Sequence, residues 1–183
     1  PFIAYVILFP LFYAGEWCYL TVMPFFLQMK LHLTPDQCGY FIGAIASTYI
    51  FAAAMTPPII DRFGIDGTIR LGVLFSFIAG FTQILLHYFY DTNLFLLAAA
   101  QIMYFFGGAF IFGSSSAKAL QAVEVSRGTA AAIRGTLVLL CAALGSLIGW
   151  IVPDTILLPI ALCMSGTAIL VFLIHQCGIE KVS

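Results

Sequence analysis

Long apolar runs, each closed by a short polar break, constrain this chain more than any other feature. A bilayer core takes about 20 apolar residues per helix. Six stretches reach that length: about 2–27, 36–56, 69–90, 94–115, 129–152 and 155–176. Backbone polar groups cannot go unpaired in hydrocarbon, so each stretch predicts a helix. Overall composition agrees, with 62% hydrophobic and 8% charged residues, where soluble domains carry about 25% charged. Mean hydropathy is +1.08. The fold expected is an all-α integral membrane protein, a six-helix transmembrane bundle forming a single domain over 1–183. A net charge of −1 offers no basic patch to neutralise phosphates, so no nucleic-acid partner is expected.

The breaks carry turn chemistry. Thr34-Pro35-Asp36 reads as an N-cap followed by proline in the first helical turn. Asp91-Thr92-Asn93 is a polar turn, and Pro153-Asp154 ends the fifth span. The stretch 57–68 holds Asp61-Arg62, Gly64 and Gly67, too polar for hydrocarbon, and predicts a turn between the second and third spans. The longest polar stretch, 116–128, predicts a loop. Arg62, Arg70, Lys118, Arg127, Arg134 and Lys181 all fall on one side of the alternating spans, with Lys30 alone on the other. By the positive-inside bias, that side and both termini are cytoplasmic. Tyr88 to Tyr90 and Trp150 sit at outer helix ends, where amphipathic rings favour the headgroup level. A multi-pass protein of the plasma membrane is expected, the inner membrane in a bacterium.

Glu16 is the one acid well inside a predicted span. At 1.5 Å per residue it lies about 21 Å along the first helix, beyond the middle of a core about 30 Å thick. A carboxylate there is costly, and such residues usually face a bundle interior or a water-filled cavity. Helical spacing surrounds it with Phe9, Phe12, Tyr13, Tyr19, Leu20 and Met23. An acid among aromatics can carry a proton or bind a lipophilic cation. The structural alternative is an acid held by an internal hydrogen bond.

Small residues recur every fourth position at Gly39, Gly43 and Ser47 in the second span and at Gly145 and Gly149 in the fifth. These faces suit close helix packing. Gln101 and Tyr104 share a face of the fourth span, and Gln83 and His87 share one of the third. Such polar pairs bond each other or a neighbour, or line a cavity. The five cysteines are spaced singly and read as free packing residues. No metal-ligand spacing, nucleophile elbow or phosphate-cradling glycine loop occurs, so neither an enzyme nor a cofactor is expected.

Six spans with an Asp-Arg-x-Gly turn between the second and third resemble the N-terminal half of a major facilitator superfamily transporter. The family's turn reads G-x-L-A-D-R-x-G-R-K. Asp61, Arg62 and Gly64 match it, Pro57 replaces the first glycine, and Ile65-Asp66 replace the basic pair. The resemblance implies that Asp61, Arg62 and Gly64 form a cytoplasmic latch against an opposite half. Gly145 and Gly149 match the end of the drug-antiporter signature G-P-x-x-G-G, with Ser146 in place of proline and Trp150 in place of the last glycine. In the fourth span only Gly107 matches the family's R-x-x-Q-G. Such transporters have two six-helix halves with substrate bound between them near the midplane. A chain that begins at Pro1 and holds six spans is therefore expected to be part of a longer protein, or to dimerise. Its implied function is secondary transport, with proton-coupled export of lipophilic or cationic compounds as the leading expectation. Glu16 would couple protons, and Tyr13, Tyr19, Met23, Gln101 and Tyr104 would line the cavity. The alternatives are nutrient or metabolite symport, or a non-transporting assembly partner.

Overall fold

The computed structural model describes residues 2–89, 93–121, 127–151 and 157–179. The described residues are helical apart from short connections. They form α1 (Phe2–Leu31), α2 (Pro35–Phe89), α3 (Leu94–Gln121), α4 (Arg127–Ile151) and α5 (Leu158–Ile179). All five are long and apolar enough to cross a membrane.

Five elements stand where six were expected, and the reason lies in the stretch 57–68. It is not an open turn. Helix continues through Pro57, Pro58, Asp61 and Arg62 and is interrupted only at Gly64, with φ 74° and ψ 171°. That backbone conformation is one that glycine alone adopts without strain. α2 therefore consists of two arms, 35–63 and 65–89, joined through one residue. An unbroken helix of 55 residues would run about 80 Å, far longer than a bilayer core.

The other helices start and stop close to the expected limits. α1 extends to Leu31, where His32 takes φ 55° and the Leu33 amide bonds the Leu27 carbonyl at 3.2 Å. Thr34 then caps α2 as its sequence predicts. The Thr34 amide donates to Gln37 Oε1 at 3.0 Å, and the Gln37 amide returns to Thr34 Oγ1 at 3.4 Å. This reciprocal pair is a capping box. Asn93 caps α3 by accepting from the Leu96 amide at 3.2 Å. The expected loop 116–128 is shorter than its polarity suggests, since α3 reaches Gln121 and α4 begins at Arg127. Asp91-Thr92 and Pro153-Asp154 lie outside the described residues.

α1 runs through the middle of the bundle, packed against α3, α4 and α5, while α2 lies along α3 and α5. Leu8, Phe12, Phe26 and Leu27 of α1 are fully buried, with Tyr104 of α3 and Met164 of α5. Small residues set two of the seams. Gly72 of α2 meets Gly107 of α3 backbone to backbone. Gly145 of α4 rests on the Ala14 carbonyl of α1, and Gly149 on Cys18 and Thr21. Lipid tails supply no hydrophobic drive between helices, so this close approach is what holds α4 to the bundle. The Gly39, Gly43 face of α2 is different, since among the described residues nothing beyond their own helix backbone lies within 4 Å of where their side chains would begin. Ile50, Phe51 and Met55 of the same arm are exposed, as suits hydrocarbon.

The cysteines Cys18, Cys38, Cys141 and Cys163 are free, as expected.

Candidate functional site

α4 packs almost wholly on α1 and hardly touches α3. A cleft therefore opens between α3 and α4. Aromatic side chains one helical turn apart form a row on α1 beside it. Tyr13 stacks on Phe9 at 5.1 Å and meets the edge of Trp17 at 5.9 Å. Phe9 in turn meets Phe112 of α3 edge-on at 4.7 Å.

Arg134 of α4 closes this aromatic row. Its guanidinium lies 4.7 Å from the Phe112 ring centroid and 5.7 Å from that of Phe9. Nη2 donates to the Phe112 carbonyl at 3.3 Å and to Ser115 Oγ at 3.4 Å, and Nε is buried without a hydrogen-bond partner. Among the described residues no carboxylate forms an ion pair with Arg134. Beside it is a cavity of about 280 Å³ lined by Phe112, Ser116, Ala130, Arg134 and Val138. A second, of about 410 Å³, lies across Phe112 and is lined by Thr56, Pro57, Asp61, Ala109 and Gly113.

Glu16 sits deeper on α1 and is 7% exposed. Among the described residues no hydrogen-bond donor reaches its carboxyl group. Tyr49 of α2 is within electrostatic reach of Glu16, Tyr13 and Arg134 together, and Tyr104 is within reach of Glu16. The interior thus gathers one acid, one cation and three phenols from four helices.

Most of the residues expected to line a cavity are buried within this bundle. Tyr13 is half-buried beside the cleft, but Tyr19, Met23, Gln101 and Tyr104 are at most 2% exposed. Tyr104 is the junction of α1, α3 and α5. Its ring stacks on Phe12 at 4.3 Å, and its hydroxyl is 3.1 Å from the Phe12 carbonyl, to which it donates, and 3.2 Å from Thr167 Oγ1. Gln101 Oε1 accepts from Gln83 Nε2 at 2.9 Å across the α2–α3 seam, while Gln83 Oε1 and Gln101 Nε2 stay buried with no partner among the described residues. Helical spacing places Gln101 beside Tyr104 and Gln83 beside His87, but it does not say which neighbouring helix each side chain meets.

Asp61 and Arg62 are exposed, and among the described residues neither forms an ion pair with another helix. Arg62 lies 5.6 Å over the Phe63 ring of its own helix. Asp66, which stands where the family motif has a basic residue, makes the inter-helix contacts instead. It accepts from Lys118 Nζ of α3 at 2.8 Å and from the Tyr5 hydroxyl of α1 at 2.9 Å, with His175 Nε2 of α5 at 4.0 Å. Partial burial opposes ionisation of Asp66. The hydrogen bonds from Lys118 and Tyr5 and the nearby positive charge outweigh it, and hold this carboxyl below the ordinary value.

The depressed pKa fixes the sign of a pH effect. The tie contributes stability above the unfolded carboxylate pKa, about 3.9, and loses it as pH falls through the lower folded value. Asp66→Asn should therefore lower thermal stability at pH 7 and flatten its dependence below about pH 4. The expected loss is about 1 kcal/mol at most, because the side chains of Lys118 and Asp66 are 34% and 37% exposed and solvent screens them. Melting curves in detergent at pH 7 and pH 3.5 measure both quantities. A mutant as stable as the wild type at pH 7 would exclude the tie.

Arg134 is the residue that charge counting hides. It enters the sum of positive residues on the side expected to be cytoplasmic, yet it stands seven positions beyond Arg127, about 10 Å into its helix. Depth rather than sign was the available signal. Neither a family model nor a curated protein matches the chain.

Proposed function

We propose that the chain is one half of a major-facilitator-type secondary transporter, which moves a small molecule by alternating access. In this reading the two arms of α2 are separate spans, making six, and the Gly64 break and both termini face the cytoplasm. The open Gly39–Gly43 face is where a second six-helix half docks, in the same longer chain or in a dimer.

One observation carries the reading: Glu16 and Arg134 share an interior with Tyr49 without pairing to each other. Ionisable side chains inside a bilayer are expensive, and where they occur they mark substrate, ion or proton pathways. A non-transporting assembly partner has no evident need for either charge there. Glu16 is the proton-coupling residue, and the compound carried is small and lipophilic. Arg134 in the same interior weighs against a cationic substrate. It favours a second reading, symport of a metabolite, over export of lipophilic cations.

The test is flux in proteoliposomes holding the full-length protein under an imposed pH gradient. Radiolabelled tetraphenylphosphonium, benzoate and benzyl alcohol serve as cationic, anionic and neutral probes. Uptake or extrusion of one probe above that of empty vesicles, collapsed by a protonophore, is the expected result. Gradient-independent movement equal to empty vesicles for all three would remove the transport reading.

A further inference from the structure

We propose that the cleft between α3 and α4 binds a small organic monocarboxylate, its carboxylate on the Arg134 guanidinium and its apolar body against Ala130 and Val138. The argument begins with a charge that cannot be removed. A lysine or glutamate inside a membrane can shed its charge by exchanging a proton, but arginine stays protonated in proteins. Arg134 must therefore have its charge compensated where it stands. The described residues around it do so only in part. Two long hydrogen bonds to the Phe112 carbonyl and Ser115 use one terminal nitrogen, and the rings of Phe9 and Phe112 offer their faces. Nε is left buried with no acceptor.

Guanidinium binds oxyanions through paired N–H groups in a planar fork, and carboxylate matches that fork. The cleft selects among oxyanions by its walls. Among the described residues Arg134 is the one cationic side chain lining the cavity of about 280 Å³, and Ser116 is its hydroxyl-bearing neighbour. A single positive charge suits a monoanion, whereas a phosphate dianion would remain half-compensated in a low-dielectric setting. Ala119, Ala130, Ala131 and Val138 make the rest of the wall apolar, which favours a hydrocarbon or aryl body over a sugar. The volume is slightly below the usual range for drug-sized ligands, so the body is small. This inference rests on the transport reading only in calling the anion a substrate; the binding site stands or falls separately.

The experiment is equilibrium binding of radiolabelled benzoate to full-length protein in neutral-lipid nanodiscs at pH 7, with competition by unlabelled compounds. On the wild type alone, benzoate should compete at least about tenfold better than the isosteric benzyl alcohol or benzylammonium, and better than inorganic phosphate. Arg134→Gln should weaken benzoate binding about tenfold or more, and Arg134→Lys by less, since a point charge remains but the fork is lost. The competition series needs no variant, so misfolding of Arg134→Gln would not rescue the idea. Equal competition by benzyl alcohol would overturn it, as would stronger competition by phosphate or benzylammonium, or unchanged affinity in a folded Arg134→Gln. Benzoate binding without proton-driven flux of any probe would keep the site and refute transport. Flux of a cation without benzoate binding would do the reverse.

Discussion

If the chain is a proton-coupled transporter, Glu16→Gln should abolish substrate-driven proton release while leaving the protein folded. The two side chains have nearly the same shape, and the position is 7% exposed in α1, so the substitution changes charge capacity and little else. An amide cannot yield a proton at any accessible pH. If Glu16 exchanges a proton for substrate, adding benzoate or tetraphenylphosphonium to weakly buffered wild-type protein changes the pH, and Glu16→Gln shows a change smaller by about tenfold or more. Packing should survive, because no hydrogen bond to the Glu16 carboxyl exists among the described residues for the mutation to break. Both proteins should therefore melt within about 0.5 kcal/mol of each other. Release of equal size from a folded Glu16→Gln would move the coupling site elsewhere. Strong destabilisation would mark Glu16 as a structural acid.

Gly145→Val costs about 3 kcal/mol, at the upper end for overpacked sites. An ideal Cβ at this position would collide with the Ala14 carbonyl oxygen and approach the Ala14 carbonyl carbon to 2.8 Å and Cα to 2.9 Å. These are backbone atoms of a central helix and cannot swing aside as a side-chain tip can. The only relief is separation of α4 from α1, and that seam is nearly all the packing α4 has. The same separation would draw Arg134 off the Phe9 ring, so benzoate affinity should fall with stability. Gly39→Val is the matched control, with open space around its Cβ and an expected change within about 0.5 kcal/mol. Denaturant titration in mixed micelles compares the two. A tolerated Gly145→Val would refute the seam, and a damaging Gly39→Val would reveal a partner already covering that face.

The helices were legible because hydrocarbon permits few alternatives: an apolar run about twenty residues long has one way to satisfy its backbone. Caps were legible for a similar reason, since Thr34 and Gln37 need only their own turn to form the box seen here. The stretch 57–68 misled because prolines and charges signal a break without fixing its length. Pro57 and Pro58 are accommodated within helix, and the chain turns on Gly64 alone. Tertiary partners were not legible. Spacing marks Gly145 as part of a small-residue face without naming its partner, which is Ala14 of this same chain. Asp66 looked like a lost basic residue, yet it makes the contacts to Lys118 and Tyr5. Sequence spacing fixes which residues share a helix face. Which helix covers that face depends on crossings between residues far apart in the chain.

The aromatic row on α1 has an optical consequence. The chain has two tryptophans, and they report on different surroundings. Trp17 ends the row, edge-on to Tyr13 and 36% exposed, while Trp150 is 79% exposed on the outer flank of α4. Replacing Trp150 with Phe leaves a single indole within two ring contacts of Phe9, over which Arg134 lies. Its emission then becomes a built-in gauge of the cleft, readable without attaching a dye.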